Sequence, residues 1–187
     1  IVSMDKFEIT TCTPDHIEEV YNILASAFYN EPSSANCTIG ERMTMEQWHT
    51  FLTFFVPSVC NNGLSSIAID KDTKKAAGCF ISRDFHEPLP KEFDEFCGSI
   101  TRLNHLIGVV DIIDQSFYEK HPEYKDKQMG KVVDFWMVGV LPEYTGLGLS
   151  KVLTEKCKEL VSGKFEYAVM ECTGHFSQRM ATKSGFN

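Results

Sequence analysis

The sequence predicts an α/β domain in which a mixed central β-sheet is flanked by helices. Two short apolar segments, 64–70 and 76–82, enclose a polar turn and predict an antiparallel hairpin. Further on, apolar runs at Val132–Val140 and 165–171 surround an amphipathic segment at Leu149–Val161, a pattern typical of parallel strands joined by a crossover helix. The 187 residues, 43% of them hydrophobic, suffice for one sizeable core.

Two amphipathic helices are predicted in the first third of the chain. The first should begin after the N-cap residue Thr13, with Pro14 at its first position, and should end at Pro32. The second should begin with the capping box of residues 44–47 and end at Pro57. The apolar faces comprise Ile17, Val20, Tyr21, Leu24, Ala27 and Phe28 in the first helix, and Trp48, Phe51, Leu52 and Phe55 in the second.

Helical periodicity returns between residues 88 and 118, which predicts one or two helices followed by a polar loop over 119–131. A last short helix is expected over 176–183. The apolar seam of the long helical stretch comprises Ile100, Leu103, Ile107, Val110, Ile113 and Phe117.

The composition indicates a single domain over residues 4–187, because no repeat, low-complexity run or linker-like segment interrupts the chain. Residues 1–3 lack the basic and apolar regions of a signal peptide, so we expect them to be a remnant of expression. No stretch approaches the roughly 20 apolar residues that a membrane span needs. The most apolar window, 51–60, is interrupted by Pro57.

The net charge of −8, from 18 Lys and Arg against 26 Asp and Glu, makes nucleic acid an unsuitable partner. Seven cysteines, never as close as C-x-x-C, argue against a disulfide framework and against a Cys-based zinc site. The six histidines show no metal-binding spacing, so no metal is predicted. Together these features predict a reducing, cytoplasmic compartment and no membrane partner.

A glycine-rich turn follows the apolar run Val132–Val140. Gly146 and Gly148 stand between this run and the amphipathic segment Leu149–Val161. Because N–H groups at a helix start point the same way and small residues let a phosphate approach, the turn is typical of a pyrophosphate-binding loop. It is not a P-loop, since the pattern G-x-x-x-x-G-K-[ST] is absent. A purely structural tight turn would also carry two such glycines.

The segment from Val140 to Leu153, V-L-P-E-Y-T-G-L-G-L-S-K-V-L, resembles motif A of the GCN5-related N-acetyltransferase superfamily. The resemblance implies acetyl-CoA as cosubstrate and a sheet that is splayed at the acyl-CoA site. In the family, backbone amides of the turn bind the pyrophosphate and strand residues offer backbone groups to pantetheine. This chain has Thr145, whose hydroxyl can still donate, in place of Arg or Gln, and Ser150 in place of Gly or Ala. The cofactor-binding residues implied are Met137, Val138, Val140, Thr145, Gly146, Leu147, Gly148, Leu149 and Ser150.

Two further segments are similar to the insect-type arylalkylamine N-acetyltransferases of this superfamily. Residues 171–186, E-C-T-G-H-F-S-Q-R-M-A-T-K-S-G-F, resemble motif B, with Ala181 where many members carry a general-acid tyrosine. The resemblance places Ser177 beside the thioester. Residues 27–32, A-F-Y-N-E-P, are similar to the F-F-x-D-E-P segment, whose glutamate is the proposed base of those enzymes. Because family members continue for a further strand or two, we expect the native chain to extend beyond its present end.

Acetyl transfer to an amine needs a base for the amine and a proton donor, or other stabilisation, for the departing thiolate. The resemblance nominates Glu31 as the base. Asp134 is the second candidate, because it interrupts the apolar run Val132–Val140 and matches by position the catalytic glutamate of the histone acetyltransferase branch. Ser177 is the candidate donor. The predicted acceptor is a small primary amine of the arylalkylamine kind; a protein lysine or N-terminal amine, and a non-catalytic acyl-CoA-binding protein, are the open alternatives.

Overall fold

The structure is a computed structural model that describes residues 4–31 and 38–186 of the chain, so the predicted helix end at Pro32 lies outside the described residues. A five-stranded sheet forms its centre, with the strands in chain order from β1 to β5. Neighbouring strands are antiparallel from β1 to β4, and β4 and β5 are parallel, which confirms the predicted mixed sheet. The strands are β1 (Phe7–Thr11), β2 (Ser66–Asp70), β3 (Ala76–Asp84), β4 (Val132–Val140) and β5 (Tyr167–Val169).

Seven α-helices are present among the described residues, and the stretch between β3 and β4 contains two of them, as the periodicity predicts. None of the helices in residues 4–31 and 38–186 is long and apolar enough to cross a membrane. The helices are α1 (Ile17–Asn30), α2 (Met45–Thr53), α3 (Val56–Asn61), α4 (Lys91–Ser99), α5 (Thr101–Lys120), α6 (Leu149–Val161) and α7 (His175–Lys183).

The second predicted helix is divided into two. Thr44 caps α2 as expected: its hydroxyl accepts a hydrogen bond from the Gln47 amide at 3.1 Å, and the Gln47 side chain accepts one from the Thr44 amide at 2.8 Å. However, α2 ends at Thr53, and Pro57 lies in the first turn of α3. Proline fits there because the first N–H groups of a helix have no partner within it. The prediction that Pro57 ends a helix is therefore wrong.

Helices cover both faces of the sheet, so the sheet separates two apolar cores. On one face, α1 packs against β3 and β4. The approach is close: a Cβ atom on Gly139 of β4 would lie 2.9 Å from the Cγ2 atom of Ile23. On the other face, α6 packs across β1 to β4 through the fully buried Leu149 and Leu153. The helices thus fix the position of β4 from both sides.

The last strand is shorter than its sequence pattern. Apolar residues predict a strand over 165–171, whereas β5 covers only Tyr167–Val169. Its pairing with β4 ends where Asp134 faces Val169. Beyond that point the two strands have no ladder between them, and Met170 and Glu171, which follow β5, line a cleft instead.

Candidate active site

A cleft opens where β4 and β5 separate. Pairing ends at Asp134, while β4 continues to Val140 and the chain after β5 leads to α7. The cleft has a volume of about 220 Å³, and most of its lining is apolar. The sheet is therefore splayed, as the resemblance implies. The large apolar residues that line the cleft are Phe28, Trp48, Phe51, Phe80, Leu103, Leu106, Ile107, Val110, Phe135, Trp136, Met137, Val138, Met170, Phe176 and Met180.

A β-bulge shapes the β4 side of the cleft. Ile81 of β3 faces Met137, but the next residue of β3 faces Phe135, so Trp136 is the extra residue of β4. Bulges bend a strand and change the direction of its side chains. Met137 and Val138, two of the predicted cofactor-binding residues, line the cleft directly after this bulge.

The turn after β4 has two glycines in the left-handed region directly before a helix. Gly146 and Gly148 have φ angles of 76° and 84°, a region that favours glycine, and α6 begins at the next residue. A Cβ atom on either glycine would meet nothing within 4 Å among the described residues, so the space above this backbone is open. Because α6 is 13 residues long, its N-terminus also carries the positive end of a helix dipole.

From the sequence, the Thr145 hydroxyl is expected to be available as a donor to the cosubstrate, but the structure uses it within the turn. The hydroxyl donates a hydrogen bond to the carbonyl oxygen of Pro142 at 2.8 Å, so its hydrogen is used within the turn. Thr145 therefore stabilises the loop in this structure, and the backbone N–H groups are the donors that a phosphate would meet. Residues 145–150 do not line the cleft; they follow the end of the strand that forms one of its walls.

A hydrogen-bond network supports this turn from the β2–β3 hairpin. The Tyr144 hydroxyl donates to the Asp70 carboxylate at 3.1 Å, and the Lys6 ammonium lies 3.0 Å from the same oxygen. The amides of Asp72 and Thr73 donate to the other oxygen. Burial acts to raise the pKa of Asp70, but these donors outweigh it and lower the pKa to about 2. Asp70 is therefore an ionised anchor for the segment that leads into the glycine turn.

Glu31 and Ser177 meet at Gly174, the N-cap residue of α7. A Cβ atom on Gly174 would lie 3.2 Å from Oε1 of Glu31 and 4.0 Å from Oγ of Ser177, and all three residues line the cleft. The Ser177 hydroxyl donates to the Gly174 carbonyl oxygen at 2.9 Å and accepts from the Gly174 amide at 3.2 Å. The structure thus places Glu31 and Ser177 beside the same residue, Gly174. The hydroxyl hydrogen of Ser177 is used in the hydrogen bond to the Gly174 carbonyl oxygen.

Asp134, the second candidate base, has different surroundings. It is 5% exposed, it faces Arg83 of β3 in the sheet register, and it is not among the residues that line the cleft. Its Oδ1 atom has no hydrogen-bond partner among the described residues. Burial and the negative charge of Asp114 raise the pKa of Asp134 to about 7, although the Arg83 guanidinium acts against them. Asp134 is therefore an interior carboxyl, whereas Glu31 lies on the cleft wall.

Sequence reasoning missed two acids near Asp134. Glu171 lines the cleft, and the negative charge of Asp114 on α5 acts on both Glu171 and Asp134. A signal existed for both, because Asp114 follows Ile113 in the apolar seam and Glu171 ends an apolar strand pattern. A charged residue inside an apolar pattern is a candidate for a functional site. In residues 4–31 and 38–186, no group of three or more His, Cys, Asp or Glu side chains is arranged to hold a metal ion.

Solved structures with the same fold include several N-acetyltransferases. Arylalkylamine N-acetyltransferase 2 from Aedes aegypti matches over 96% of this chain and 82% of its own, with a TM-score of 0.68 and 20% identity. The polyamine N-acetyltransferase of Drosophila melanogaster, which forms N-acetylagmatine, matches over 96% and 82%, with a TM-score of 0.66 and 16% identity. The C-terminal condensation domain of Ebony, solved with beta-alanyl-dopamine, matches over 97% and 83%, with a TM-score of 0.76 and 14% identity.

No protein-family model and no curated protein sequence matches the chain. Sequence identities of 14–20% over nearly the whole chain show the fold alone. The chain has the fold of the GCN5-related N-acetyltransferases, as its resemblance to motifs A and B predicts.

Proposed function

We propose that this protein transfers an acetyl group from acetyl-CoA to a primary amine. The observation that carries the proposal is the cleft at the separation of β4 and β5, because one wall leads to the glycine turn and another carries Glu31 and Ser177. The fold supports it, since N-acetyltransferases named for arylalkylamines and for polyamines share it.

Acetyl-CoA fits the residues of the turn. The open space above Gly146 and Gly148 leaves room for a pyrophosphate, and the N-terminus of α6 favours an anion. Met137 and Val138 lie where the pairing of β4 with β5 has ended, so β4 has free edge groups for an extended pantetheine chain. The further residues proposed to contact the cosubstrate are Val140, Thr145, Leu147, Leu149 and Ser150.

The cleft favours a small amine with an aromatic ring over a lysine on a protein surface. Its volume of about 220 Å³ suits a small molecule, and its walls contain packed aromatic rings: the ring centres of Phe28 and Trp48 are 5.6 Å apart, and those of Trp48 and Phe51 are 5.7 Å apart. Offset or edge-on contact with such rings stabilises an aromatic ligand. The net charge of −8 attracts a cationic amine.

In this proposal Glu31 accepts the proton of the acceptor amine. The neutral nitrogen then attacks the thioester carbonyl carbon, the C–N bond forms, and the C–S bond breaks. The departing thiolate takes up a proton. Ser177 is the donor implied by the resemblance to motif B, and its position on the cleft wall is compatible with that role.

The test is thiol release from acetyl-CoA in the presence of candidate amines. We expect free thiol and acetylated product with arylalkylamines such as phenylethylamine, at a rate well above that without amine. A peptide with a lysine or a free N-terminus is the comparison. Turnover with the peptide alone would support the alternative acceptor, while tight CoA binding without thiol release in any reaction would support a non-catalytic acyl-CoA-binding protein.

A further inference from the structure

Trp136 separates the cleft from a second, smaller cavity. The cleft has a volume of about 220 Å³ and the second cavity one of about 160 Å³. Among the residues that the structure describes, Trp136 is the only one that lines both. The second cavity lies between residues 54–59, where α2 is followed by α3, and residues 83–90, which lead out of β3. The indole ring of Trp136 is therefore a partition at which the cleft ends.

Buried neighbours hold this ring in place. Trp136 is the extra residue of the bulge in β4, which turns its side chain away from the regular pleat. Its ring centre lies 4.2 Å from that of the buried Phe55, and the guanidinium carbon of Arg83 lies 4.8 Å from it. Arg83 is only 7% exposed, and its Nε donates to the Asp84 carbonyl oxygen at 3.0 Å. Since a cation is attracted to the face of an aromatic ring, moving Trp136 aside would break favourable contacts.

The partition lies on the side of the sheet where we propose that the amine binds. Trp136 packs against the core that contains Trp48 and Phe51, two rings of the aromatic wall of the cleft. Val138 and Val140, which we propose as contacts of the cosubstrate, pack against the other core together with α6. The space that Trp136 closes therefore belongs to the acceptor and not to the acyl chain.

We propose that Trp136 sets the upper size of the acceptor amine, so that the protein accepts an amine with one aromatic ring and rejects one with a second ring in line with the first. This inference rests on the proposed acetyl transfer. A closely packed wall rejects a larger ligand because the wall can move only by giving up its own contacts. When the indole ring is removed, the cleft and the second cavity become one space, and the larger amine can enter it.

The first experiment compares phenylethylamine with 2-(4-biphenylyl)ethylamine as acceptors for wild type and for Trp136→Ala. The ratio of the two kcat/KM values measures the preference. We expect wild type to prefer phenylethylamine by ~10-fold or more, and Trp136→Ala to reduce that preference by ~10-fold or more. A wild type without this preference, or a Trp136→Ala variant that retains it, would overturn the proposal.

Phe54→Ala is the matched control. Phe54 lines the second cavity but not the cleft, so the variant enlarges that cavity and leaves the partition intact. Its preference should equal that of wild type. A loss of preference as large as that of Trp136→Ala would show that loosened packing, and not the partition, governs the choice of amine.

Trp136→Phe provides a second test should Trp136→Ala fail to fold. A phenylalanine ring is smaller than indole but can still pack against Phe55 and Arg83, so we expect a change in the same direction that is smaller than for Trp136→Ala. If folded Trp136→Phe prefers phenylethylamine even more strongly than wild type does, the partition does not limit the size of the acceptor.

Hexanoyl-CoA distinguishes the acceptor from the acyl chain. With phenylethylamine as the acceptor, the kcat/KM of hexanoyl-CoA relative to that of acetyl-CoA should be the same in wild type and in Trp136→Ala. If the variant gains on the longer acyl chain and not on the larger amine, Trp136 limits the acyl group and the proposal is wrong.

A binding measurement does not depend on acetyl transfer. Each amine is titrated calorimetrically into the protein, with and without CoA; wild type should bind phenylethylamine ~10-fold or more tightly than the larger amine, and Trp136→Ala should lose this difference. If binding follows this pattern but neither protein acetylates either amine, the size limit holds and the proposed acetyl transfer is contradicted. If wild type acetylates phenylethylamine but binds both amines equally, the role of Trp136 is overturned and the acetyl transfer holds. Binding of neither amine to wild type would overturn both.

Discussion

The hydroxyl of Tyr144 donates a hydrogen bond to the carboxylate of Asp70, at 3.1 Å, across 74 residues of chain. Tyr144 directly precedes the glycine turn, and Asp70 ends β2. The ring of Tyr144 also packs edge-on against Phe7 of β1, with ring centres 5.7 Å apart. The segment entering the turn is thereby fixed to the sheet by a polar and an apolar contact, which orients the N-terminus of α6 before any ligand binds.

We expect Tyr144→Phe to weaken CoA binding by a few fold and to lower the free energy of unfolding by about 1 kcal/mol, the usual net contribution of one hydrogen bond. The ring contact with Phe7 stays, so the loss reports the hydroxyl alone. Titration calorimetry with CoA and urea unfolding measure the two effects. Tyr167→Phe, at an exposed tyrosine of β5, is the control and should change neither quantity. Loss of stability with unchanged CoA affinity would mean that the hydrogen bond between Tyr144 and Asp70 stabilises the hairpin and does not orient the turn.

Gly148→Glu tests the turn itself. A side chain there would project into the open space above the turn and add a negative charge where we propose that the pyrophosphate binds, so CoA affinity should fall at least ~10-fold. Part of any effect comes from the φ angle of 84°, which disfavours a side chain. Gly163→Glu is a matched control, because Gly163 has a φ angle of 72° and open space at the other end of α6. Equal CoA affinities in the two variants would show that the pyrophosphate does not bind at this turn.

Much of the fold was predictable because its signals are local. The apolar run Val132–Val140 and the amphipathic segment Leu149–Val161 have the bounds of β4 and α6. The prediction that Pro57 ends the second helix was wrong because proline occurs both in the first turn of a helix and after a helix end. The length of β5 depends on how far β4 pairs with it. The local sequence of residues 165–171 contains no information on that pairing.

The candidate site was predictable only in part, because the contacts between its elements, like the length of β5, depend on residues distant in the sequence. Motif resemblance identified Glu31 and Ser177, but whether the charge of Asp114 acts on Glu171 depends on how α5 packs in the fold. Periodicity assigned this part of α5 to a buried seam. In the structure Ile113 is 39% exposed, and Asp114 beside it faces a groove. Packing decides which side chains of distant elements come together, so sequence reasoning found Glu31 and Asp134 but neither Asp114 nor Glu171.

Glu31→Gln should lower kcat/KM at least ~100-fold, a typical loss for a general base, and should leave CoA affinity near the wild-type value. The acidic limb of the pH–rate profile should disappear with it. Glu18→Gln is the control, because Glu18 is an exposed glutamate in the first turn of α1, the helix that Glu31 follows. If Asp134→Asn produces that loss and Glu31→Gln does not, the base is the interior carboxyl of β4, and the resemblance to the arylalkylamine branch is misleading at this position.

Asp134 should make the protein less stable as the pH rises. Its pKa is about 7 in the folded chain, against an ordinary value of 3.8, because burial and the charge of Asp114 favour the protonated form. Between these two values the folded state holds a proton that the unfolded state has released, so the free energy of unfolding falls as the pH rises. The stabilisation is complete below about pH 4, is lost through about pH 7, and changes little above that.

Asp134→Asn carries no such proton, so its free energy of unfolding should vary less between about pH 5 and pH 8 than that of wild type. Part of the slope will persist in the variant, because burial also raises the pKa of Glu171 and that of Asp114. Urea unfolding at about one-unit pH intervals measures the difference, with Asp15→Asn, an exposed acid, as the control. Parallel curves for wild type and Asp134→Asn would show that Asp134 is ionised in the folded protein, with Arg83 compensating its charge fully across the sheet register.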